Sequence, residues 1–222
     1  MHIISKWIQS GLCCLCCIYS YAQQMGSVDH PYVLNPTVST VVWGNYWSES
    51  PAALTIHSGD YVRVHTLITS NPERLEASGI LPDQVEPALR EVQSVKDKGP
   101  GGHVLTGPIY ISDAEPGDLL EVRINQIELA IPYGYNAIGT SGFLSDEIFD
   151  RKMRIISLDR EKMTGHFADG IDIPLHPFFG SMGVAPTKEI GKWNSAPPWK
   201  HAGNLDNKEL VAGSSLFIPV QV

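Results

Sequence analysis

Through most of the chain, apolar residues recur with a period of two, in short runs broken by Gly, Pro, Asn and Asp. That pattern reads as many short strands. Residues 37–43 form one such run and lead to a turn at Gly44-Asn45, flanked by Trp43 and Trp47. Residues 53–56 and 61–67 read as two strands joined in a hairpin by His57-Ser58-Gly59-Asp60, with Val62, Val64 and Thr66 on one face and Arg63 and His65 on the other. Strands are also expected at 103–111, broken at Gly107-Pro108, and at 119–124, with Leu120, Val122 and Ile124 inward. Two more are expected at 153–158 and 162–167, joined by a turn at 159–161, and a last one at 216–222. Residues 131–149 and 174–186 read as loops, the second dense in apolar and small residues.

The period changes only between Asn71 and Lys98. There Leu75, Ile80, Leu81, Val85, Leu89 and Val92 are set among charges, and Pro82 or Pro87 would open a helix over residues 88–95. This reads as a helical insertion between β segments, either a spacer or a mobile lid. The expected fold class is therefore mostly β (α+β): a sandwich or distorted barrel with a small helical insertion.

Composition adds limits. The chain has 222 residues, enough for a substantial core, and its 20 Gly and 16 Pro suit a turn-rich β fold. Net charge is −8 with no run of Lys or Arg, which argues against nucleic acid as a partner. Lys6 precedes an uncharged, largely apolar run to Ala22, ending Ser20-Tyr21-Ala22, which predicts a secretory signal peptide at 1–22 and export to a periplasm or beyond. The run is short for a membrane span, and no small-residue pair precedes Cys13, Cys14, Cys16 or Cys17 as a lipidation site would want. These are the four cysteines of the chain, so residues 23–222 carry no thiol, and any metal there would be held by His, Asp, Glu or Asn.

Candidate chemistry gathers in two places. Residues 201–210, His-Ala-Gly-Asn-Leu-Asp-Asn-Lys-Glu-Leu, put an imidazole, amides, a carboxylate and an ammonium on a loop before a strand. Their plain alternative is a solvated surface turn. His103 follows Gly99-Pro100-Gly101-Gly102 and enters a strand, where glycine allows close approach of a ligand. Gly139-Thr140-Ser141-Gly142 lacks the spacing of a phosphate loop and is rejected as a nucleotide site.

Several of these motifs together resemble the acetamidase/formamidase family. The similarity lies in the 103–111 block followed by Ala114-Glu115-Pro116-Gly117-Asp118, and in Pro177-Phe178-Phe179-Gly180-Ser181-Met182-Gly183-Val184-Ala185-Pro186. It continues through Ser195-Ala196-Pro197-Pro198 and residues 201–208, which resemble a His-Gly-Gly-Asn-Met-Asp-Asn-Lys signature, to the strand after Gly213. Ala202 stands where the family pattern has Gly, a small change if φ there is below zero. The pattern continues past the position matching Val222 with a block of further His, Asp and Glu. The sequence thus resembles an amino-terminal portion, a domain at 23–222 incomplete at its C-terminus. A chain ending there is expected to leave strand 216–220 without a partner.

The resemblance implies hydrolysis of a short linear amide, formamide or acetamide, to a carboxylate and ammonia. With no thiol and no Gly-x-Ser-x-Gly elbow, a water activated by a divalent ion such as zinc or calcium fits best. His103, His201 and Asp206 are then the expected ligands, completed in full-length relatives by the block that follows, with His201, Asp206 and Lys208 catalytic and Asn204 and Thr106 binding substrate. A homo-oligomer is expected, with no membrane contact after signal cleavage. The alternatives are an inactive exported β-domain and a related C–N hydrolase of another amide.

Overall fold

The charged stretch after Asn71 supplies the largest hydrophobic core. Asn71 caps the helix Pro72–Ala77 by accepting the Arg74 backbone N–H at 2.8 Å, and Pro72 fills a first-turn position where no N–H is needed. A second helix, Pro87–Val92, also opens on proline. Leu75, Leu89 and Val92 have no exposed surface. With Ile80 and Val85 they pack against Val41, Leu67, Val104 and Tyr133 from the surrounding strands. Each such side chain contributes about 1.5–3 kcal/mol by leaving water. Of the two readings of this insertion, spacer and lid, the packing supports a structural element that the strands are built on.

The computed structural model describes residues 25–139, 146–147 and 150–222. The expected signal peptide with its cysteines, and most of the rejected loop at 139–142, lie outside the described residues. Among the described residues no helix is long and apolar enough to cross a membrane.

The architecture is mostly β, as the alternation predicts, and the strands among the described residues group in seven small sheets. Four strands form an antiparallel meander in the order Ile171–Pro174, Thr164–Ala168, Lys152–Asp159, Tyr133–Ile138. The last of these corrects the loop expected at 131–149. Its Gly and Asn disguise a strand that pairs residue for residue with Lys152–Asp159, from Ile138 opposite Lys152 to Tyr133 opposite Ser157. The hairpin expected around 57–60 is also corrected. The turn forms, with the His57 backbone N–H donating to Asp60 Oδ2 at 2.7 Å. Its flanking strands, however, pair elsewhere: Leu54–Ile56 runs parallel to Ile109–Ile111, and Val62–Val64 parallel to Tyr32–Leu34. A turn signal fixes where the chain reverses, whereas partner choice is decided by distant strands. The strand Ser215–Pro219 is not left without a partner, since it pairs antiparallel with Leu119–Arg123.

Three short ladders hold the candidate site. Val41–Trp43 pairs with Val104–Thr106, Asn45–Tyr46 with Trp193–Asn194, and Ser181–Gly183 with Ala202–Asn204. The turn expected at Gly44-Asn45 shrinks to Gly44, whose φ of +73° bends the chain between the first two ladders.

Candidate functional site

Tyr46 lies directly opposite Trp193 in its ladder, so both rings project to the same face. His201 fills the space they frame. Its ring centroid is 4.7 Å from that of Tyr46 and 6.0 Å from that of Trp193. Trp199 stacks on the far side of Trp193 at 4.6 Å and 13°. Position 201 is set by a tight turn in which the backbones of Trp199 and Ala202 exchange hydrogen bonds of 3.1 and 3.0 Å. Ala202 closes that turn at φ +65°, so the change from the family's Gly is not a small one: a Cβ is carried in a region that favours glycine.

His201 is wholly buried, and among the described residues neither of its ring nitrogens has a hydrogen-bond partner. Burial pushes its pKa below the ordinary 6.5, because the charged imidazolium is the form that desolvation penalises. The ring is therefore neutral at pH 7, with one N–H and one lone pair unspent. An unpaired buried donor costs about 1–3 kcal/mol, and a native fold that retains one calls for a reason. Tyr46, the aromatic neighbour, holds its hydroxyl 3.0 Å from Ser181 Oγ, and burial raises its pKa.

The second histidine reaches the same region from the glycine loop. Gly44 binds the loop on both faces: its N–H donates to the His103 carbonyl at 2.8 Å, and its carbonyl accepts from Gly101 at 2.9 Å and Ser195 at 3.0 Å. Gly101 is required there, since a Cβ would collide with Ser195 Oγ. Half-buried His103 places Nδ1 2.9 Å from that fully buried hydroxyl. Asn45, 2% exposed, donates Nδ2–H to the Trp43 carbonyl at 2.9 Å, while its Oδ1 is buried without a partner. The result is two imidazoles borne by one small ladder, His103 held at its Ser195 end and His201 lying against its aromatic face.

A family model for acetamidases and formamidases matches residues 39–196, most of the chain. This chain belongs to the acetamidase/formamidase family. The match includes Tyr46, His103, Trp193 and Ser195 and ends before Trp199 and His201. A provisionally named formamidase of Schizosaccharomyces pombe is 33% identical over 41% of this chain and 24% of its own length. An acetamidase of Mycolicibacterium smegmatis is 26% identical over 54% of this chain and 44% of its own. Among solved structures, the acetamidase of Bacillus halodurans shares the fold with a TM-score of 0.68 and 22% identity, over 86% of this chain and 58% of its own. The chain thus spans less than half the length of the curated relatives it matches and about three-fifths of that solved structure.

Of the residues expected from this acetamidase/formamidase resemblance, His103 meets Ser195, which follows the Trp193–Asn194 strand, and His201 packs on Tyr46 and Trp193 of that ladder. The others have different surroundings. The Thr106 hydroxyl donates to the His65 carbonyl at 2.8 Å, and the Asn204 amide donates to the Ala196 carbonyl at 3.1 Å. Asp206 and Lys208 are exposed. Asp206 sits at φ +47° with its N–H on the Gly180 carbonyl at 2.9 Å, next to the Ser181 that holds Tyr46. Among the described residues no three His, Asp or Glu side chains are grouped to hold a metal ion. The expected ligands His103, His201 and Asp206 are thus not grouped as a set among the described residues: His103 Nδ1 meets Ser195, His201 packs on aromatic rings, and Asp206 lies out on a turn. These three residues by themselves do not make a site for the zinc or calcium ion expected from the resemblance.

Tyr46, Trp193 and Ser195 were not read as site residues in the sequence. Ser195 carried a signal, as the residue before the Pro197-Pro198 pair of a family block. Tyr46 and Trp193 carried none, because their role arises from pairing across 147 positions of chain, the difference between 46 and 193.

Proposed function

We propose that this chain hydrolyses short linear amides, formamide or acetamide, to a carboxylate and ammonia. The reading rests on one observation: the family match runs through the residues that enclose an imidazole whose two nitrogens are both unspent. An amide resists water because the nucleophile is poor and the amine leaves badly, so a catalyst must polarise the carbonyl and move protons. A neutral His201 supplies both halves of the proton traffic. Its lone pair takes the proton of the attacking water, and the imidazolium so formed returns a proton to the departing nitrogen. The rings of Tyr46 and Trp193 pack on His201 and keep bulk water from it, which strengthens each polar interaction there. Substrate reaches His201 by displacing the Trp193–Trp199 stack, whose outer ring is 39% exposed. Asp206 and Lys208, exposed on the following loop, steer a polar substrate.

The test is ammonia release by the purified chain on formamide, acetamide, propionamide and benzamide. Turnover of the first two, declining with acyl size, is the expected result. No release from any of them would favour the second reading, a non-catalytic β-domain, for which the complete burial of His201 is the supporting observation. Export is part of the same proposal: protein recovered from producing cells is expected to begin at Gln23, and an intact Met1 terminus would refute it. Self-association into a homo-oligomer is expected as well, read from the molar mass in solution.

A further inference from the structure

We infer that Ser195 is a positioning residue: it locks neutral His103 with its proton on Nε2, so that His103 serves as a hydrogen-bond donor to the amide oxygen. The inference rests on the amidase reading above and divides the work between the two histidines, His201 handling protons and His103 holding charge.

The argument begins with a count of protons. A serine hydroxyl has one hydrogen to give and can accept from two directions. Ser195 Oγ has two hydrogen-bonding neighbours among the described residues, the His103 backbone N–H at 3.4 Å and His103 Nδ1 at 2.9 Å. The backbone N–H can only donate, so Oγ accepts there. The hydroxyl proton then has a single acceptor within reach, the lone pair on Nδ1. Were Nδ1 protonated instead, Oγ would receive two donors and its own hydrogen would be left unpaired at a residue with no exposed surface. Buried donors are rarely left so. A neutral imidazole with Nδ1 accepting carries its proton on Nε2.

The same geometry excludes the other role a Ser–His pair suggests. A nucleophilic hydroxyl must meet the carbonyl carbon, but Ser195 is sealed and Gly101 lies against its Oγ so closely that a single methyl there would collide. Ser195 acts on His103 and does not touch substrate. His103 Nε2 makes no hydrogen bond among the described residues, and the ring is half-buried beside the Gly99–Gly102 loop. An Nε2–H held by a buried hydroxyl is a preoriented donor of the kind that stabilises an oxyanion. No bond is made or broken at His103; it contributes only a hydrogen bond that shortens as negative charge develops on oxygen.

The test is two-bond nitrogen–proton NMR on the full chain labelled with nitrogen-15 histidine, at mildly alkaline pH where imidazoles are neutral. His103 is expected in the Nε2–H form in the wild type and as a mixture of tautomers in Ser195→Ala, with Ser195→Thr restoring the first pattern. A wild-type His103 protonated on Nδ1 would overturn the inference without any variant having to fold. In the ammonia assay, His103→Gln, whose side-chain amide places an N–H near the former Nε2, is expected to retain activity within roughly tenfold. His103→Ala is expected to lose about 10²–10³ in kcat, the usual effect of removing one oxyanion donor. Equal losses in the two variants would overturn the donor role. A wild type that turns over no amide would refute the amidase reading instead, and the tautomer would still decide what Ser195 does.

Discussion

Gly203 lies against the Nε2 corner of the His201 imidazole: a Cβ at position 203 would stand 2.6 Å from Nε2, and the residue's φ is +86°. Two requirements therefore fall on one residue, a left-handed backbone and an empty side-chain position. Gly203→Ala is expected to destabilise the fold by about 1–3 kcal/mol through overpacking, with about 1–2 kcal/mol more from the backbone region. Urea unfolding measures it. A midpoint equal to that of the wild type would show that the ring does not rest on this glycine.

Its neighbour predicts the opposite sign. Ala202 holds φ +65° with a Cβ, a conformation costing about 1–2 kcal/mol, against a glycine entropy cost of about 0.5–1 kcal/mol. Ala202→Gly is thus expected to stabilise the chain by up to about 1 kcal/mol. A clear loss of stability would mean that the methyl of this buried alanine contributes more in packing than its backbone strain costs.

Acid should act through His201. Its folded pKa lies below the ordinary 6.5, so between the two values the unfolded chain binds more protons than the folded one. Its contribution to stability is fully present above pH 6.5 and is lost as pH falls below that value. The carboxylates held below their usual range, Asp113 by hydrogen bonds from Ser58 and His57 and Asp159 by hydrogen bonds from Lys162, act in a separate and lower window. The fall in Tm between pH 7 and pH 5.5 is expected to be smaller in His201→Phe than in the wild type. Parallel curves would mean that another group governs this range.

What could be read from the sequence followed from local rules. The breaks at Gly107-Pro108 and at 159–161, the inward set Leu120, Val122 and Ile124, and the proline-opened helix all rest on neighbours within a few positions. Partner choice did not. The parallel pairs Leu54–Ile56 with Ile109–Ile111 and Val62–Val64 with Tyr32–Leu34 join segments tens of residues apart, and alternation carries no address. The strand Tyr133–Ile138 was hidden by its glycine and asparagine. At the site, His103 and His201 were legible because glycine-rich loops announce close approach. The metal set was not, because convergence of three ligands is a property of packing: Asp206 and His201 are five positions apart, yet one is exposed and the other buried.

The helical insertion offers a check on the fold itself. Leu89 is fully buried in the main cluster, so Leu89→Ala is expected to cost about 2–5 kcal/mol. A mobile lid would lose far less, and a change below about 0.5 kcal/mol would restore the lid reading.

The central claim is that the buried, unpartnered imidazole of His201 does the proton work of amide hydrolysis. It is tested most directly by ammonia release from formamide by the wild type and His201→Asn, with matched melting curves to show that both are folded. The account predicts turnover by the wild type and a fall of about 10²–10⁴ in the variant, the usual range for a general acid–base. Equal rates from the two folded proteins would contradict it.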